Sequence, residues 1–122
     1  MTRSEFRRVI QKALEELPPL FQEALENLDI QVRWRPTAQE LRRAGVRRGG
    51  ELFGVHTGVA LPKRSHGYSM VLPDTIVIYQ RTHELYCRTE PEMVAQAKKT
   101  LLHEIGHYLG MDEKRLHELG MG

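Results

Sequence analysis

Residues 89–110 read TEPEMVAQAKKTLLHEIGHYLG, a helix with its start and its stop both written in. Thr89, Pro91 and Glu92 combine a capping box with an early proline. Gly110 supplies the residue that can turn left-handed and end the helix near Leu109. Between them, Val94, Ala97, Leu101, Ile105 and Tyr108 fall on one apolar stripe, and Gln96, Thr100, His103 and His107 on a neighbouring polar one. A helix of this length needs its apolar stripe covered, so the remaining segments are expected to pack around it.

Those segments are legible in turn. Phe6, Val9, Ile10, Ala13, Leu14 and Leu17 recur at helical spacing over 3–17, and Pro18–Pro19 ends that helix and opens a second one at 19–28. DIQVRWR (29–35) alternates strictly, so Ile30, Val32 and Trp34 are expected on the buried face of a strand. A short helix with Thr37 as N-cap and Gly45 as stop follows. Residues 51–61 form a second expected strand. Its one face is bulky (Phe53, Val55, Thr57, Val59, Leu61); the other is mostly small (Leu52, Gly54, His56, Gly58, Ala60). Such a small face lets either a substrate backbone or a packed helix come close. A loop with a short strand at 68–72 leads to TIVIYQ (75–80), apolar on both faces and therefore central. Asp112–Leu119 is a last short helix. No repeat or linker interrupts 1–122, so the expectation is one α+β domain, a small mixed sheet against a long helix with further helices at the N-terminus.

The chemistry lies in HEIGHYLGMDEKRLHELG, residues 103–120. His103 and His107 are one turn apart on one face, roughly 6 Å along the axis. Two imidazoles so placed can converge on one zinc ion at about 2.0–2.1 Å. Glu104 is rotated about 100° from His103, beside the ligands, where it can accept a proton from a metal-activated water and pass it to a leaving amine. Gly106 leaves room for a strand or a substrate backbone against the helix. Zinc needs a third protein ligand, and after the turn at Gly110 three residues compete for that place: Glu113, Asp112 and His117.

HEIGHYLGMDE is similar to the HExxHxxGxxH segment of the metzincin metallopeptidases, with Glu113 where their last histidine stands. It resembles more closely the minimal zincin-like proteins of bacteria, whose motif is HExxHxxGxxD followed by a DRLHELG-like tail. DEKRLHELG matches that tail, and LFGVHTGVALPKRSHGYSMVLPDTIVIYQ resembles the family's middle region, so the likeness covers 51–120. It implies a minimal zincin-like fold and a zinc metallopeptidase. It further implies His103 and His107 as ligands, Glu104 as base and Glu113 as third ligand. The departure is glutamate in place of aspartate at 113, one methylene longer, which keeps Asp112 in competition.

The expected function is hydrolysis of peptide bonds in a peptide or protein substrate lying along the 51–61 edge, with Tyr68, His56 or His66 as candidate oxyanion stabilisers. Two other classes compete. Bacterial endoribonucleases of ribosomal RNA maturation carry HGxxHxxGxDH, which shares both histidines, Gly110 and Asp112. Glu104 and Glu113 discriminate against them, because carboxylates beside the metal repel a phosphodiester. A catalytically silent, metal-stabilised binding domain is the third reading. The net charge of +2 gives no general argument for nucleic acid. The cluster Arg42, Arg43, Arg47, Arg48 reads as a solvated helix end before a phosphate site. No apolar run approaches the ~18 residues of a membrane span. The N-terminus is charged throughout, unlike a secretory signal. The single Cys87 cannot form an internal bridge and reads as a small buried hydrophobe. These features set a cytoplasmic expectation. Trp34 is expected in the core and His83 on a surface turn; oligomeric state is not encoded in any visible pattern.

Overall fold

The computed structural model describes residues 1–47, 49–58 and 74–118. Helix α1 (Arg3–Glu15) begins at a complete capping box, Thr2 with Glu5. Pro19 opens α2 (Pro19–Ala24), which tightens into a 3-10 turn at Leu25–Asn27 before strand β1 (Leu28–Arg33). Thr37 and Glu40 form the capping box of α3 (Ala38–Arg43), and Gly45 closes it at φ 73°. Strands β2 (Gly54–Thr57) and β3 (Asp74–Tyr79) follow, and β3 runs directly into α4 (Gln80–Tyr86). The long helix α5 (Glu90–Tyr108) takes Thr89 as N-cap, its hydroxyl accepting from the Glu92 amide at 3.2 Å, and Gly110 turns the chain at φ 86°. Helix α6 (Glu113–Glu118) comes last among the described residues.

The three described strands form one mixed sheet in the order β1-β3-β2, with β1 parallel and β2 antiparallel to β3. The central place of β3 follows from its sequence: Ile76, Val77, Ile78 and Tyr79 are all at most 2% exposed. In register, Ile30 and His56 flank Ile76, while Val32 and Gly54 flank Ile78. One face of the sheet therefore presents Ile30, Val32, Gly54, His56, Ile76 and Ile78. That face joins α1, α2 and α5 in a single core, to which α5 contributes Met93, Ala97, Leu101, Ile105 and Tyr108. The α+β expectation holds.

Four local expectations change. Helix α1 stops at Glu15, although Leu17 beyond it is buried as expected. Trp34 is 46% exposed, because β1 ends at Arg33 and the chain bends before the next buried position of the alternation. His83 lies not on a surface turn but inside α4, completely buried. Among the described residues the 51–61 strand is reduced to Gly54–Thr57. The expected positions Val59 to Leu61, the 68–72 strand, Arg48, His66, Tyr68 and Leu119 lie outside the described residues. No described helix is long and apolar enough to cross a membrane.

Candidate metal centre

Near its C-terminal end α5 presents His103 and His107 side by side, their rings 4.3 Å apart between centroids and inclined at 64°. Both are about one-third exposed. The left-handed Gly110 reverses the chain, and Asp112 starts α6 by accepting the Arg115 amide at 2.8 Å. The first residue of α6, Glu113, is thereby folded back over the two imidazoles. His103 Nε2 lies 2.7 and 2.9 Å from its two carboxylate oxygens, and His107 Nε2 lies 3.0 Å from Oε1.

The turn is held from beneath. Leu116, completely buried, fits against Gly106 so tightly that a Cβ at 106 would collide with its Cδ2. The space that Gly106 leaves is thus filled by the chain's own last helix, not by a strand or a substrate. This contact was not visible in the sequence, where Gly106 and Leu116 are separated by the turn. The KRLH segment offers a leucine but no indication of where it docks.

Glu104 approaches the histidine pair from the other side. Its oxygens lie 3.5 Å from His103 Nδ1 and 3.8 Å from His107 Nδ1, and the residue is 9% exposed. Burial pushes its carboxyl upward, but the two imidazoles outweigh burial and hold it below the ordinary carboxylate value. The response of the histidines is reciprocal. The Glu104 contact, against the opposing effect of burial and with help from Glu113, raises His103 to about 9. His107 is raised chiefly by the same carboxylate. Glu113 is lowered, first by its bond to His103. Two carboxylates enclosing two imidazoles make a field that favours positive charge, whether a proton or a cation.

His103, Glu104 and His107 each offer a ligand atom within 4.8 Å of the others, a group able to hold a metal ion. A second set is centred on Glu113 Oε1, which lies 2.7 Å from His103 Nε2 and 3.0 Å from His107 Nε2. A tetrahedral ion with bonds of 2.0–2.1 Å spaces its donors roughly 3.3 Å apart. The 2.7–3.0 Å contacts would open by only a few tenths of an ångström to accept one. Glu113, on the Nε2 side, is the more exposed carboxylate, and the buried Glu104 stands on the Nδ1 side. The donor chemistry, two imidazoles with a carboxylate, fits zinc.

The competitors of Glu113 are otherwise placed. Asp112 is occupied as the cap of α6, and His117 is exposed one turn further along, with no hydrogen bond or ion pair to the cluster among the described residues. Of the oxyanion candidates, His56 lies on β2 facing the helix. Its Nε2 is 2.9 Å from Asp74 Oδ2 and its ring stands edge-on to Tyr108. Cys87 is only half-buried, with Sγ 3.7 Å from the Glu92 carbonyl, and burial pushes its thiol pKa up, as does the Glu92 charge. Arg42, Arg43 and Arg47 are exposed at and beyond the end of α3, remote in sequence from the cluster.

Gly54 settles what the small face of β2 does at that position. A Cβ there would sit 2.8 Å from Thr100 Cγ2 and 2.9 Å from the Val77 carbonyl. Its missing side chain lets the strand press against α5, so helix packing, not substrate approach, explains this glycine.

The sequence profile of a family described as zincin-like metallopeptidase matches residues 25–122. Among solved structures, a conserved hypothetical protein from Thermus thermophilus superposes with a TM-score of 0.59 at 19% identity, over 89% of this chain and 94% of that one. The likeness to it is one of fold. No curated protein matches the sequence significantly.

Proposed function

The chain belongs to the zincin-like metallopeptidase family, and from that premise we propose that it is a zinc-dependent peptidase in which His103, His107 and Glu113 hold the metal and Glu104 acts as general base. The observation that carries this reading is the placement of one carboxylate, Glu113, within 3.0 Å of both Nε2 atoms while a second, Glu104, stands behind them. Three protein ligands leave zinc an open position, the arrangement of catalytic rather than purely structural sites. Zinc held there supplies a polarised carbonyl and a water acidified to a pKa of about 7.

The chain's own groups do the rest. Glu104 is buried yet kept ionised by the imidazoles, so its Oε atoms can take a proton from the attacking water and return it to the departing amine. Glu113, the more exposed carboxylate, neutralises part of the metal's charge and orients the imidazoles. Two carboxylates at the site disfavour a phosphodiester, which leaves a peptide or protein as substrate rather than RNA. With Cys87 as a lone free cysteine, we place the protein in the reducing cytoplasm.

The test is cleavage of a defined peptide mixture, read as new termini by mass spectrometry. Zinc-supplied wild type should generate termini that disappear in Glu104→Gln and in wild type stripped by a chelator. Equal cleavage by all three preparations would overturn the assignment.

A further inference from the structure

A groove of about 340 Å³ opens directly beside the histidine cluster, between α5 and the segment leading into β2. It shares His103 and Glu104 with the site, so a ligand bound across the site can extend into it. Its apolar wall is Leu52 and Phe53. The Phe53 ring is braced edge-on by the buried His83 at 5.1 Å and by the Tyr86 ring, tilted at 52°, at 5.5 Å, so the wall exists before a ligand arrives. Tyr86 itself is 61% exposed and extends the aromatic surface past the rim. Gly54 and Thr100, seated closely on each other, also line it. The volume suits one or two side chains, at the lower limit of small-ligand pockets.

Charge around the groove is unbalanced in one direction. Glu51 is already engaged by Arg81 at 3.2 Å, and Glu104 belongs to the cluster. Lys99 is exposed and has neither hydrogen bond nor ion pair among the described residues. It lies one helical turn before His103, roughly 6 Å along α5. Two residues of an extended peptide span about the same distance at ~3.3 Å each.

We propose that this groove selects substrates with a bulky apolar residue next to the scissile bond and a carboxylate about two residues away, bound by Phe53 and Lys99 respectively. The inference rests on the peptidase reading and deepens it by naming the substrate class. The carboxylate can be an acidic side chain or the C-terminus of a short peptide, and both present the same ligand to an ammonium group.

Binding tests this apart from turnover. N-acetylated tetrapeptides containing phenylalanine are titrated into the zinc-supplied Glu104→Gln protein, followed by the amide NMR signals of residues 52–54 and 96–100. A peptide with glutamate two positions from phenylalanine should bind roughly tenfold more tightly than its lysine counterpart. Lys99→Glu should reverse that order, and Phe53→Ala should weaken both peptides alike. Amidated peptides with glutamate, compared with free-acid peptides carrying glutamine, decide which carboxylate is read. An order unaffected by Lys99→Glu, or signal changes away from the groove, would overturn the proposal. If binding follows the predicted order and wild type cleaves nothing, the groove stands and the peptidase function falls. Cleavage indifferent to Lys99 and Phe53 would mean the opposite.

Discussion

Leu116 occupies the place where any side chain at residue 106 would have to be: a Cβ on Gly106 would overlap its Cδ2 and approach Cγ to 3.3 Å. That contact joins the last described helix to the final turn of α5, one residue before His107 and two after Glu104. It also determines where Glu113 stands, since Leu116 and Glu113 are on the same short helix. Glu113 is therefore held by packing as well as by its bonds to the histidines.

It follows that Gly106→Ala should damage the metal centre without touching a donor. Alanine gains up to about 1 kcal/mol of helix propensity over glycine. Overpacking against Leu116 costs about 1–3 kcal/mol, so the net effect is loss of stability and displacement of α6. Zinc affinity measured by competition with a chromophoric chelator should fall while far-ultraviolet circular dichroism stays near that of wild type. Wild-type affinity in Gly106→Ala would show that the α6 docking does not position Glu113.

Asp112 and Glu113 are adjacent acids with different tasks. Asp112→Ala removes the side-chain acceptor for the Arg115 amide and should cost about 1 kcal/mol of stability while retaining zinc. Urea denaturation and metal analysis of the same preparation check both halves of this statement.

In the proposed mechanism Glu104, on the Nδ1 side of the histidines, is the base and not one of the ligands on the Nε2 side. Glu104→Ala should keep the metal and lower turnover by about 10²–10⁴-fold. His107→Ala should lose both metal and turnover. Loss of zinc from Glu104→Ala would instead make the inner donor set, with Glu104 as ligand, the real one.

His83 gives the fold a pH dependence of its own. Its Nδ1 lies 2.8 Å from the Tyr79 carbonyl and its Nε2 3.4 Å from Thr100 Oγ1; Phe6 and Phe53 cover the ring. Burial lowers its pKa below the ordinary histidine value of 6.5, only partly offset by the Tyr79 carbonyl. As pH falls below about 6.5 the unfolded chain takes up a proton that the folded chain refuses. This contribution to stability is complete above that pH and declines as acid is added towards the folded pKa. Metal-free wild type and His83→Asn, compared by urea midpoint between about pH 7 and pH 5, should differ in slope, wild type falling more steeply. Parallel slopes would contradict the burial of a neutral imidazole.

Much of this molecule is legible locally. Helix α5 declares both of its ends, β3 declares its central place by being apolar on both faces, and one-turn spacing puts His103 beside His107 whatever surrounds them. The turn at Gly110 makes a return of residues 112–117 foreseeable, though it leaves three candidates open. What sets the three apart in the structure is the cap at Asp112 and the docking of Leu116, which bring Glu113 to the histidines, and neither has a local signature. His83 was hidden for the same reason. Its burial depends on β3 passing into α4 without a loop and on Phe6 and Phe53 arriving from distant segments. Trp34 misled in the other direction, since an alternating pattern gives no sign that its strand ends one residue earlier.

The central claim, that Glu113 completes a zinc centre with His103 and His107, is tested most directly by the zinc content of untagged protein purified without chelator, beside Glu113→Ala prepared identically. One zinc per wild-type chain, lost in the variant while the fold persists, is the result expected. Zinc retained by Glu113→Ala, or no zinc in wild type even after the metal is supplied, would contradict it.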